Sequence, residues 1–137
     1  EAAYAAGVLG AGPDAAAHQR LRDQAAKAAA AAREGMPKVV AAALRSRKGA
    51  GLVNVGYAHM TMQRFDQGIE LIEKGVARGV ERNPDLARLR LGYAYAMAGR
   101  KEQARETLTA LATLDGAGSV GRLAHYWLLW LDRPARP

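Results

Sequence analysis

The sequence predicts an all-α protein made of short antiparallel helices, and three observations carry that reading. No run of β-branched and aromatic residues alternates with polar ones for more than a few positions, so strand signals are missing. Proline, glycine and short polar residues punctuate the chain where helices start and stop. A helix-sized pattern also repeats: Val55-Gly56-Tyr57-Ala58-His59 returns as Leu91-Gly92-Tyr93-Ala94-Tyr95, thirty-six residues on.

The elements follow from this punctuation. Pro13-Asp14 precedes an alanine-rich helix over 15–34, stopped by Gly35, and Pro37 opens a second segment over 38–47. Together they read as a helical hairpin over 14–49, with Ala41 and Ala43 making the close contact and residues 1–13 a tail or short helix. Gly49-Ala50-Gly51 then reads as a break. Further helices follow over 52–62, 66–78, 85–98, 101–114 and 119–131, with Asp66 and Ser119 as N-caps and Asn83-Pro84-Asp85 as a helix start. The last of these is a capping helix, followed by a tail to residue 137.

The repeat explains how the middle helices meet. Twelve residues after Gly56 and Gly92 come the small residues Gly68 and Ala104, and four further on the aliphatic Ile72 and Leu108. Helices of a hairpin approach closely only where small residues face each other, and the aliphatic side chains one turn on fill the groove between them.

These residues resemble the tetratricopeptide repeat, a helix–turn–helix unit of about 34 residues. Leu91, Gly92 and Tyr95 match its Leu-Gly-x-x-Tyr element, and Val55, Gly56 and His59 match it more weakly. Gly68 and Ala104 match its second-helix small residue, while Phe65 and Gly99 fit in one copy each. Leu52 and Arg88 replace its tryptophan, and Pro84 stands displaced as its closing proline. The chain is similar to small bacterial members of this class, in which two repeats end in an Arg-Leu-Ala…Trp helix, here 122–130. The resemblance implies one domain over 1–137: a degenerate hairpin, repeats over 50–82 and 83–115, and a capping helix, stacked as a right-handed superhelix of antiparallel hairpins.

It also implies a concave groove lined by the first helix of each repeat. Asn54, Tyr57, Met60, Thr61, Leu89, Arg90, Tyr93 and Met97 fall at the groove positions, giving an apolar channel suited to a peptide. Asn54 and Arg90 fall where chaperone-binding repeats hold a terminal carboxylate, but Leu86 stands in place of a clamp lysine. The segment His125-Tyr126-Trp127-Leu128-Leu129-Trp130-Leu131 is apolar all round, so Trp127 and Trp130 are candidate contacts to a second copy or a partner chain.

Composition narrows the function classes. The 137 residues (14.6 kDa) fit one domain, half of them are hydrophobic, and only 6% are aromatic. The lack of cysteine removes disulfide, thiolate and cysteine–zinc chemistry. No apolar run approaches the ~18–20 residues of a membrane span. The start at Glu1 reads as a trimmed or processed end, which leaves the bacterial cytoplasm or periplasm open as the compartment.

The net charge of +7 raises nucleic acid or an anionic surface as an alternative partner. Residues 1–48 carry eight Lys/Arg against four Asp/Glu, and 49–115 carry nine against eight, so the excess sits on the flanks. Its footprint would be Arg20, Arg22, Lys27, Arg33, Lys38, Arg45, Arg47 and Lys48.

Catalytic patterns are weak. His18, His59 and His125 lie on different segments without a nucleophile motif, and His59 and His125 occupy aromatic positions, which points to core packing. Gly7 to Gly12 reverses the dinucleotide-loop spacing and follows no strand. Gly99-Arg100-Lys101 is an inter-helix turn, and Asp66, Glu70 and Glu73 share a solvated face with Lys74. The sequence thus predicts a non-enzymatic protein–protein interaction scaffold, without cofactor or metal, that binds a peptide segment or partner domain.

Overall fold

The computed structural model describes residues 1–133, and the last four residues of the predicted tail lie outside them. Seven helices follow one another, with no strand among the described residues: α1 (Ala2–Ala5), α2 (Ala15–Arg45), α3 (Gly49–Thr61), α4 (Phe65–Arg78), α5 (Pro84–Met97), α6 (Lys101–Ala112) and α7 (Gly118–Leu131). None is long and apolar enough to cross a membrane. The chain divides into two compact units, Glu1–Val39 and the remainder from Val40.

The hairpin expected over 14–49 is not formed, because α2 runs unbroken through Gly35 and Pro37. Alanine-rich sequence on both sides favours helix strongly. Pro37 fits a helical φ and removes one bond, to the carbonyl of Arg33; both residues are exposed, so solvent can satisfy that carbonyl. In the first unit, the Arg22 guanidinium lies 4.6 Å from the centre of the Tyr4 ring and pairs with Glu1. That hydrogen bond holds the Glu1 carboxyl below its ordinary pKa.

In the second unit the glycines at 49–51 begin a helix instead of breaking one, for a packing reason. A Cβ at Gly49 would lie 1.9 Å from the carbonyl oxygen of Gly75, and one at Gly56 would lie 2.7 Å from that of Gly68. The two pairs are one heptad apart on both helices, so α3 and α4 touch backbone to backbone over two turns. Ile72 fills the groove beside Gly56, as the spacing predicts. In the second hairpin Leu108 fills the place against Gly92, with Ala104 fully buried. Asp85 and Leu111 stand where the outer glycine pair would be.

The other helices pack on this pair. α3 touches α4 and α5; α5 also touches α4, α6 and α7; α6 touches α7; α4 and α6 do not meet. Leu52, Val53, Ile69, Ile72, Leu108 and Leu111 are almost wholly buried, each adding ~1.5–3 kcal/mol of apolar transfer. Polar links join the layers: the Tyr95 hydroxyl donates to Glu73 at 2.6 Å, and Arg100 reaches Asp66 at 2.7 Å. Arg78 donates to the carbonyls of Leu44 and Ser46 at 3.0 and 2.8 Å, satisfying groups left open at the end of α2.

Two expected caps are absent. Asp66 lies inside α4 and binds Arg100, and Ser119 lies inside α7, whose N-cap is Ala117. The Asn83-Pro84 start is found, with Asn83 in the left-handed region at φ 55°. Glu70 pairs with Lys74 as foreseen, whereas Asp66 and Glu73 turn to Arg100 and Tyr95.

Gly49→Ala should cost ~1–3 kcal/mol or more, because backbone rather than a movable side chain stands in the way. Thermal melts should show Tm falling by roughly 4 °C or more. Gly35→Ala, with nothing within 4 Å of the new methyl, should instead stabilise by ~0.4–1 kcal/mol. Loss of stability at both positions, or at neither, would contradict this packing.

Candidate functional site

The repeat puts aromatic residues at matching places on successive first helices, and packing brings them into one row. Tyr57 of α3 and Tyr93 of α5 have ring centroids 5.8 Å apart. Tyr93 meets Trp127 of α7 at 5.1 Å, and Trp127 meets Trp130 at 5.4 Å, both edge to face. Such geometry suits the ring quadrupoles and holds the side chains rigidly. Tyr57 and Trp130, at the two ends, remain 36% and 42% exposed, and Met97 and Leu123 add 39% and 46% exposed apolar surface.

Arg90 anchors the first end. Its guanidinium donates to the Asn54 side-chain oxygen at 2.7 Å and lies 5.2 Å from the centre of the Tyr57 ring. A cleft of about 210 Å³ opens beside them, lined by Asn54 and Arg90 with Arg82 and Asn83 from the turn before α5 and floored by Val53, Val80, Leu86 and Ala87. Donors around an apolar floor can hold a backbone carbonyl or an anion while burying an aliphatic side chain.

Six of the eight groove residues fall on accessible surface: Asn54, Tyr57, Thr61 and Met97 are exposed, and Arg90 and Tyr93 are half-buried. Thr61 is turned back, its hydroxyl donating to the carbonyl of Ala58 at 2.8 Å. Met60 and Leu89 are corrections. They are 4% and 7% exposed and belong to the core, because each sits one helical step around from the groove, on the side packed by neighbouring helices. Met60 covers Gly68 of α4.

Trp127 is half-buried against Tyr93, and Trp130 stays exposed. The packed stripe of α7 is Gly121, Ala124 and Leu131 with Leu128, so Leu123, Tyr126 and Leu129 are left on open faces. His59 is buried, and neither ring nitrogen has a partner among the described residues; His125 is exposed rather than part of the core. Arg82 and Leu123 carry no local sequence signal for this surface, and Asn83 signals only a helix start. The thirty-four residues from Tyr93 to Trp127, one repeat length, were the available signal that the row continues into α7.

Within the first unit the basic footprint does not gather on one face. Arg20, Lys27 and Lys38 are separated by seven and eleven residues, near whole numbers of turns, and lie on one exposed face of α2. Arg33 falls on the opposite side, Arg22 is taken by Glu1, and Lys48 pairs with Glu81 at 3.2 Å.

Burial, with the Glu73 hydrogen bond next, pushes the Tyr95 hydroxyl from 10.0 up to about 12. Burial, then neighbouring Tyr57, raises Tyr93 as well. A raised folded-state pKa contributes stability that is complete below the ordinary tyrosine pKa near 10 and is lost as pH rises toward about 12. Tyrosinate absorbance should therefore show a last step near 12 that Tyr95→Phe removes. The same variant should flatten the decline of Tm across that range, and an unchanged titration would place the last step elsewhere.

In comparisons with known proteins, no protein-family model, no curated protein and no solved structure matches this chain.

Proposed function

We propose that residues 49–133 act as a non-enzymatic interaction scaffold of tetratricopeptide-like, superhelical stacking, whose first-helix face binds an extended peptide segment of a partner protein. The observation that carries this is the continuous aromatic row Tyr57–Tyr93–Trp127–Trp130, with Arg90 and Asn54 at its first end. Rigid rings offer large contact area at little entropic cost, and the amide and guanidinium can meet peptide carbonyls. The contact pattern supports the choice of face: α5 touches both α3 and α7, while α4 and α6 do not meet, as when a stack curves toward its first helices.

The test uses a displayed library of random dodecapeptides selected on the wild-type chain. Tyr57→Ala and Arg90→Ala each remove side chains with accessible surface and should weaken the selected peptides tenfold or more, with Tm little changed. Selected peptides that bind both variants as well as the wild type would rule the groove out.

A second reading rests on the α2 face carrying Arg20, Lys27 and Lys38. Three phosphate contacts would give duplex DNA binding a log–log salt slope of about −2.7. Replacing the three residues by glutamine should abolish that slope; binding insensitive to salt would dismiss this reading.

A further inference from the structure

The aromatic row leads into a cleft. Past Trp130, the C-terminal ends of α5 and α7 and the start of α6 border an open cleft of about 870 Å³, floored by Ala96, Met97, Trp130 and Leu131. Among the described residues, its two charged lining residues are both cations, Lys101 and Arg133. Neither forms an ion pair among the described residues, whereas nearby arginines are neutralised: Arg100 binds Asp66 and Arg105 binds Asp132. Asp132, the acid next to Arg133, is committed to Arg105.

An apolar floor beside unneutralised cations selects the opposite arrangement in a ligand: a large apolar side chain with a carboxylate next to it. Charge-assisted hydrogen bonds to a carboxylate are about twice as strong as neutral ones, and a lysine or arginine presented there would be repelled. Resting on the groove reading above, we propose that this cleft is the groove's end pocket and takes an acidic-apolar peptide end. One aliphatic or aromatic side chain lies on Met97, Trp130 and Leu131, and an adjacent Asp or Glu lies between Lys101 and Arg133. The ligand therefore runs in one direction, with its acidic end at α7.

The chain carries its own reporter, because its two tryptophans are both in the row and Trp130 lines the cleft. Three libraries of blocked nonapeptides with a random apolar core would be screened on the full chain, ending in Glu-Glu, Gln-Gln or Lys-Lys, and the best binders titrated by tryptophan emission. The Glu-Glu set should bind at least tenfold tighter than the Gln-Gln set, with the Lys-Lys set weakest. Lys101→Gln with Arg133→Gln, both exposed positions, should erase that tenfold preference and leave the Gln-Gln affinities unchanged. Equal affinities for the Glu-Glu and Gln-Gln sets would overturn the acidic preference while leaving the groove standing. A preference surviving in the double variant would remove the cleft as its origin. Failure of all three sets to alter the emission would overturn both the cleft and the groove.

Discussion

At Gly49 against Gly75, and one heptad along at Gly56 against Gly68, the backbones of α3 and α4 come so close that a methyl group has no place between them. Contact at this distance trades side-chain volume for dense backbone packing, and it sets where every later helix sits. With α4 drawn in, Ile69 and Ile72 are sealed on one side, and the other side of α3 is free to receive α5. The second hairpin is held differently. Leu108 pushes into the space at Gly92, and aliphatic side chains do the work that glycine does in the first.

The position of α5 follows from that arrangement. It touches four other helices, so its surface is buried on several sides, and small residues such as Ala87, Ala94 and Ala96 let neighbours approach. From α5, the Tyr95 hydroxyl reaches α4, where it meets Glu73. One strip of α5 is left uncovered. Arg90, Tyr93 and Met97 occupy that strip, flanked by Tyr57 from α3 and Trp127 from α7.

α7, the last described helix, packs on α5 and α6. Its packed stripe runs through Gly121, Ala124, Leu128 and Leu131, yet leucine and aromatic residues also cover its open faces. Its exposed polar residues, Ser119, Arg122 and His125, share that surface with Leu123, Tyr126, Leu129 and Trp130. Part of that apolar surface is explained by the row that joins Trp127 and Trp130 to Tyr93. Leu129 and Tyr126, 53% and 64% exposed, lie off the row and have no such explanation.

Much of this was legible in the amino-acid sequence alone. Missing strand patterns and regular punctuation determined an all-helical chain, and the spacing of Gly56, Gly68 and Ile72 determined how one hairpin closes, because these are local and periodic properties. Six of the eight residues that the period places on one helix face are accessible, since a helix face is a matter of counting. Tertiary structure alone decided the rest. Propensity rules weigh Gly35-Pro37 and Gly49-Ala50-Gly51 equally as breaks, and only packing distinguishes a helix that continues from a glycine kept for close approach. Met60 and Leu89 lie a single helical step from the groove, so the exact seating of neighbouring helices put them in the core. Lys101 and Arg133, thirty-two residues apart in the chain, became one cationic edge only when α7 folded back beside α5 and α6, a long-range consequence that no local pattern contains.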